Sequence, residues 1–234
     1  MKSAVGSQPC LSAPDPVFAT VLVGKECKRF VVHESLLIHY SDFFRAALTG
    51  KFAEATDKTV KLEEDDAEIF EFFVHWLYYN RCPDDEKGDD AQLVDRFYFE
   101  GFPSASKTFK LYVFGDKYGV VRLRNDTINL LYDRMVYLDD DLPCPELVSY
   151  AFRHLKARDP ICRLLVDVFC YNDDIFSISD RADYKCIPFL QAIWDRYIHH
   201  VYGSASFQLT LCDYHEHDTV EERKACKGTA RSGE

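Results

Sequence analysis

Basic residues are scarce in this chain. Lys and Arg total 28 against 39 Asp and Glu in 234 residues, a formal net charge of −11. A sequence-independent nucleic-acid binder works by releasing phosphate counterions from a basic face. Nucleic acid is therefore not an expected partner, and the same acidity repels anionic membranes. Long apolar runs are also missing. None approaches the roughly 18 residues of a membrane span, so no membrane association is expected. Residues 1–16, which include Pro9, Pro14 and Pro16, hold no stretch of signal-peptide length. They read as a disordered leader. There is no Gly-x-Ser-x-Gly elbow, no Gly-x-Gly-x-x-Gly, no phosphate loop, no Cys-x-x-Cys pair and no internal repeat. The nine cysteines are an odd number, scattered along the chain. They read as reduced, partly buried thiols, which points to a cytoplasmic or nuclear setting. No enzymatic activity and no cofactor is expected.

What is present is core-forming material: 47% hydrophobic and 15% aromatic residues, ample for a folded body of this length. Residues 17–23 (VFATVLV) are apolar and rich in β-branched side chains, the pattern of a buried strand ending at Gly24. Residues 28–32 return as the second arm of a hairpin. Short helices fit 35–40 and 42–48, with Ser35, Ser41 or Asp42 as caps and Gly50 as a stop. Residues 59–62 (TVKL) alternate as a third strand. A helix then opens in the acidic run 63–68, with Asp65 and Glu68 at capping-box spacing. Its Ile69, Phe72, Phe73, Trp76 and Leu77 make one wide apolar face. Residues 83–107 carry seven acids and three bases and read as an exposed acidic insertion with one helical turn at 91–97. Helices follow at 108–118, 121–137, 145–155, 160–171 and 187–202, with Pro145, Pro160 and Pro188 in first turns. Three strands cannot cover that many helices in alternation. A small three-stranded sheet packed on a helical cluster, an α+β fold, is the remaining solution.

The stretches 21–37, 40–55, 59–81 and 109–120 resemble the BTB/POZ domain, in the form common among filamentous-fungal proteins. The residues that carry the resemblance are Phe30, Val32, His33, Leu36, Leu37, Ser41, Phe44, Gly50, Phe52, Glu54, Phe70, Phe73, Leu77 and Tyr78. The likeness covers roughly 17–137, followed by a C-terminal helical annex at 138–203 and a polar tail at 204–234. The resemblance implies an interaction module with protein partners, through self-association as a homodimer or through a cullin scaffold of a ubiquitin ligase. In cullin-binding members an apolar-x-Glu turn carries part of the contact, and Phe52-Ala53-Glu54 stands at that place. Phe52 and Glu54, with Phe43 on the preceding helix, form the candidate partner-binding set: one aromatic anchor for buried area, one carboxylate for orientation. The Asp that the family often has early in its first strand is absent, with Phe18 and Ala19 there instead.

Other chemistry-bearing residues have plainer readings. His33 lies near Cys27 and Ser35 in sequence, but it reads as part of the strand–helix junction rather than as a catalytic base. The aromatic stripe Phe70, Phe73, Trp76, Leu77 reads as core. The acidic runs 63–68, 84–90 and 139–141 read as helix starts and solvated loops. Cys212, His215, His217 and Cys226 are the one metal-like constellation, and two thiolates with two imidazoles suit tetrahedral zinc. Their spacing fits no familiar finger, and the two histidines share a face only on extended backbone. The preferred reading is a polar tail without metal. A zinc-stabilised regulatory cofactor using 212–226 is the alternative function.

Overall fold

The computed structural model describes residues 9–51, 53–99, 106–138, 144–172, 185–202 and 209–228. The chain divides into two compact units. The first takes residues 1–97 and 114–124, the second residues 98–113 and 125–234.

The first unit holds a three-stranded mixed sheet in the order β2-β1-β3. β1 (Phe18–Val23) runs antiparallel to β2 (Lys28–His33), with Phe18 opposite His33 and Val23 opposite Lys28. The hairpin turns at Gly24 and Cys27, both with positive φ (75° and 53°). Such backbone is natural for glycine and unusual for cysteine. β1 also pairs in parallel with β3 (Thr59–Leu62). Ala19, Val21 and Val23 are buried while Phe18 is 43% exposed. The first strand is therefore buried on one face only, not on both as its apolar run suggests.

Between β2 and β3 lie α1 (Glu34–Tyr40), α2 (Asp42–Thr49) and α3 (Ala53–Asp57). One extended residue, Ser41, separates α1 from α2. Its Oγ accepts from Phe44 N at 3.2 Å and donates to Tyr118 O at 2.6 Å, so it caps one helix and ties down the end of another segment. α4 (Ala67–Tyr79) begins one residue later than its capping-box spacing suggests. Asp66 is the N-cap, accepting from Glu68 N at 2.9 Å. Asp65 is instead engaged by Lys117 Nζ and Tyr118 OH, at 2.9 and 2.6 Å. Asn80, at φ 53°, closes the helix in the left-handed conformation. Phe70, Phe73, Trp76 and Leu77 are fully buried, as the helical spacing predicts.

The stretch 83–107 holds the helix expected at 91–97 but departs from the exposure expected of it. It is not a uniformly exposed loop. A short 3₁₀ turn (Asp85–Lys87) leads to α5 (Ala91–Tyr98), whose Val94 and Phe97 are buried. Its acids hold the backbone. Asp84 accepts from Glu86 N and Asp90 from Leu93 N, both at 3.0 Å. Asp89 takes a forked hydrogen bond from the Arg81 guanidinium. α6 (Ser106–Lys117) and α7 (Val121–Asp133) follow. Residues 114–124 supply buried Phe114, Tyr118, Val120 and Leu123 to the first unit. Phe114 packs on Phe73 with ring centroids 5.0 Å apart, and Tyr118 packs on Phe44 at 5.7 Å.

The second unit is helical in its described residues. After a π-type turn at Arg134–Leu138 come α8 (Pro145–His154), α9 (Pro160–Asn172), α10 (Ile187–Tyr202) and α11 (Val220–Gly228). Its core gathers Tyr112, Ile128, Leu131, Leu165, Phe169 and Phe189. Tyr112 OH donates to Asp159 Oδ1 at 2.7 Å, and the same oxygen accepts from Ile161 N at the start of α9. The segment after Leu211 is not merely a polar tail: Cys212 and Tyr214, on a 3₁₀ turn at Leu211–Tyr214, are buried.

Candidate functional site

α2, α3 and β3 enclose an open groove of about 690 Å³ in the first unit. Sequence explains the opening. Ala46 and Ala47 of α2 and Ala53 of α3 end at Cβ, so the two helices approach β3 without filling the space between them. Phe43 forms one wall. It is 41% exposed, and its ring packs edge-on against Tyr118 at 4.8 Å and Phe44 at 5.2 Å. Those contacts hold the exposed face in place. Glu54 and Asp57 stand on α3 opposite, with Lys61 from β3. β3 is an edge strand, so its outer backbone groups border the same opening.

Glu54 is exposed and makes no hydrogen bond or ion pair among the described residues. Its carboxylate is available to orient a partner. Phe43 and Glu54, chosen from sequence as partner-binding residues, thus meet at one groove. Phe52, the third of that set, lies outside the described residues.

The scaffold beneath the groove is charge-locked. Tyr118 is held protonated: burial pushes its phenol well above the usual range, and the Asp65 carboxylate adds to this. Lys58 Nζ bridges Glu34 Oε1 at 2.9 Å and Leu48 O at 3.1 Å, tying α1 and α2 to the turn before β3.

His33 does not form a catalytic pair with Cys27. The two sit at opposite ends of β2, about 17–20 Å apart at strand rise. His33 Nδ1 is 2.8 Å from Tyr78 OH, and its backbone N–H donates to the same oxygen at 3.2 Å. The histidine links the strand–helix junction to α4.

In the second unit the structure brings together the Cys/His residues that sequence spacing left unplaced. One ligand atom each of Cys212, His217 and Cys226 lies within 4.8 Å of the others, and His215 Nδ1 lies 3.1 Å from Cys226 Sγ.

Residues 15–100 match the family model of the BTB/POZ domain. The chain carries a BTB/POZ domain. No curated protein matches the chain significantly. The BTB/POZ domain is a protein–protein interaction module, and the small sheet with its helical cluster is the α+β architecture expected from sequence. Residues 114–124 extend its core beyond the matched segment, because Phe114 and Tyr118 cover the Phe44–Phe73 aromatic layer. Among the described residues no helix is long and apolar enough to cross a membrane.

Proposed function

We propose that this protein is a non-enzymatic adaptor whose BTB/POZ domain offers the α2–α3–β3 groove to a cullin-type ubiquitin-ligase scaffold. One observation carries the reading. An exposed aromatic, Phe43, and an exposed carboxylate with no partner among the described residues, Glu54, face the same groove of about 690 Å³. That pairing of an anchor with an orienting charge is how small interfaces concentrate their binding energy. Phe52 belongs to the same contact on the family resemblance. The reading places the protein in the cytosol or nucleus, where scattered thiols stay reduced.

The test is a titration of the purified full chain against the N-terminal domain of a cullin. Wild type binds. Phe52→Ala with Glu54→Lys weakens binding by about 30-fold or more, the size of a lost hot spot. Binding that survives the double change, or its absence in folded wild type, overturns the reading.

A second use of the domain, self-association, has its own support. Val17 and Val31 are 55% and 50% exposed, and Phe18 is 43% exposed. Phe18 and Val31 lie on the uncovered face of the β1–β2 hairpin. Sedimentation velocity checks it: a dimer that dissociates with Val31→Lys supports this face, and a monomer at high concentration sinks it.

A further inference from the structure

The segment 211–228 is built as though something must hold it. α11 has no buried side chain among its described residues, and nine residues are too few for a stable isolated helix in water. The loop leading into it is nevertheless held closely. Tyr214 OH donates to Asp167 Oδ2 at 2.9 Å, and Arg163 Nη2 donates to Asp213 O at 2.8 Å. Asn125 of α7 clamps the backbone of Glu216, donating to its carbonyl and accepting from its N–H, both at 2.9 Å. One turn further along α7, Asn129 Oδ1 lies 2.7 Å from His215 Nε2. A carbonyl-type oxygen only accepts, so Nε2 carries the proton and Nδ1 presents its lone pair.

That lone pair points at Cys226 Sγ, 3.1 Å away. Cys212 Sγ lies 3.4 Å from His217 Nε2. In a tetrahedral zinc site with ordinary Zn–S and Zn–N bonds, a sulfur and a nitrogen ligand stand about 3.5 Å apart. The Cys212–His217 separation falls close to that edge and the His215–Cys226 one is shorter than it; Cys212, His217 and Cys226 are the three donors that lie within 4.8 Å of one another, and His215 joins them through Cys226. His215 has extended backbone, φ −82° and ψ 147°, and its ring centroid is 6.0 Å from that of His217. This meets the condition that the His-x-His spacing set. A disulfide between Cys212 and Cys226 would leave the orientation of both imidazoles unexplained.

We propose that Cys212, His215, His217 and Cys226 form a closed structural zinc site that fastens α11 to the second unit. The two cysteines bind as thiolates, so loading releases two protons. Two thiolates and two neutral imidazoles cancel the charge of the ion, which suits a place where Cys212 is only 2% exposed. Asn129 fixes the His215 tautomer, as outer hydrogen-bond partners of metal-bound histidines do.

The experiment measures metal in the full chain by inductively coupled plasma mass spectrometry, after expression in zinc-supplemented medium and gel filtration. One zinc per chain is expected, lost in Cys226→Ser and kept in Cys10→Ser. Asn129→Ala keeps the stoichiometry but weakens zinc binding by about 10–100-fold. Cobalt(II) added to reduced, metal-free wild type gives a readout that needs no variant to fold. A thiolate-to-cobalt charge-transfer band with the intense visible bands of tetrahedral cobalt supports the site. Wild type that takes up neither metal overturns it, as does a Cys212–Cys226 disulfide in the peptide map of protein purified under reducing conditions.

Discussion

Ser41 shows how much one small side chain does in this domain. Its hydroxyl caps α2 and donates to the Tyr118 carbonyl, and it is fully buried. Ser41→Ala removes the cap, worth about 1 kcal/mol, and leaves a buried carbonyl unsatisfied at a further cost of about 1–3 kcal/mol. A loss of about 2–4 kcal/mol in unfolding free energy, read as a lower urea midpoint with an unchanged slope, is expected. Asp89 acts through charge. The forked bond from Arg81 is the main cause holding its carboxyl down to about 2, helped by the Asp84 backbone N–H and opposed by burial. An acid with a depressed folded pKa contributes stability that is complete above its unfolded value of about 4 and is lost as pH falls through about 2. Glu71, lowered chiefly by its hydrogen bond from Arg96, changes in the same direction. Stability therefore falls steeply with acid in that window, and Asp89→Asn flattens the fall. Chemical denaturation at a series of pH values reads both slopes.

α5 stands where a helical turn was expected, but its burial is what the sequence hid. Its neighbourhood is acidic, and acid clusters read as solvated loops. Here Asp84 and Asp90 are spent on backbone N–H groups and Asp89 on Arg81, while Val94 and Phe97 go inward. Phe97 packs on Phe72 with centroids 4.9 Å apart. Phe97→Ala is expected to cost about 3–5 kcal/mol, whereas a truly exposed insertion would lose almost nothing. A thermal melt decides between the two. α4, by contrast, was legible because its aromatic residues repeat at the helical period, and β3 because TVKL alternates. α3 was not, since AEATD has no apolar period and no buried residue. The Phe43–Glu54 groove was legible only through family likeness, because nothing local says that α2 and α3 leave room beside β3. The Cys/His cluster was legible as a donor set and not as a site. Its four donor residues come from a 3₁₀ turn, an extended loop and a helix. The groups that aim them, Asn125 and Asn129, lie 86 to 91 positions earlier in the chain.

On the scale of the whole chain, the first unit is discontinuous: residues 114–124 complete it after residues 98–113 have gone to the other. The family match ends at residue 100, before buried Phe114, Tyr118, Val120 and Leu123. A fragment of residues 15–100 is therefore expected to lack a cooperative thermal transition and near-ultraviolet dichroism. The full chain shows both. A fragment melting as sharply as the full chain would mean that the second segment is dispensable.

The same discontinuity matters during synthesis. Residues 98–124 must leave the ribosome before Phe44, Phe70 and Phe73 receive their last covering, and at about 5–20 residues per second that takes about 1–5 s. For that interval the nascent chain displays an aromatic surface to the cell, so its yield depends on chaperone supply as well as on the stability of the finished protein.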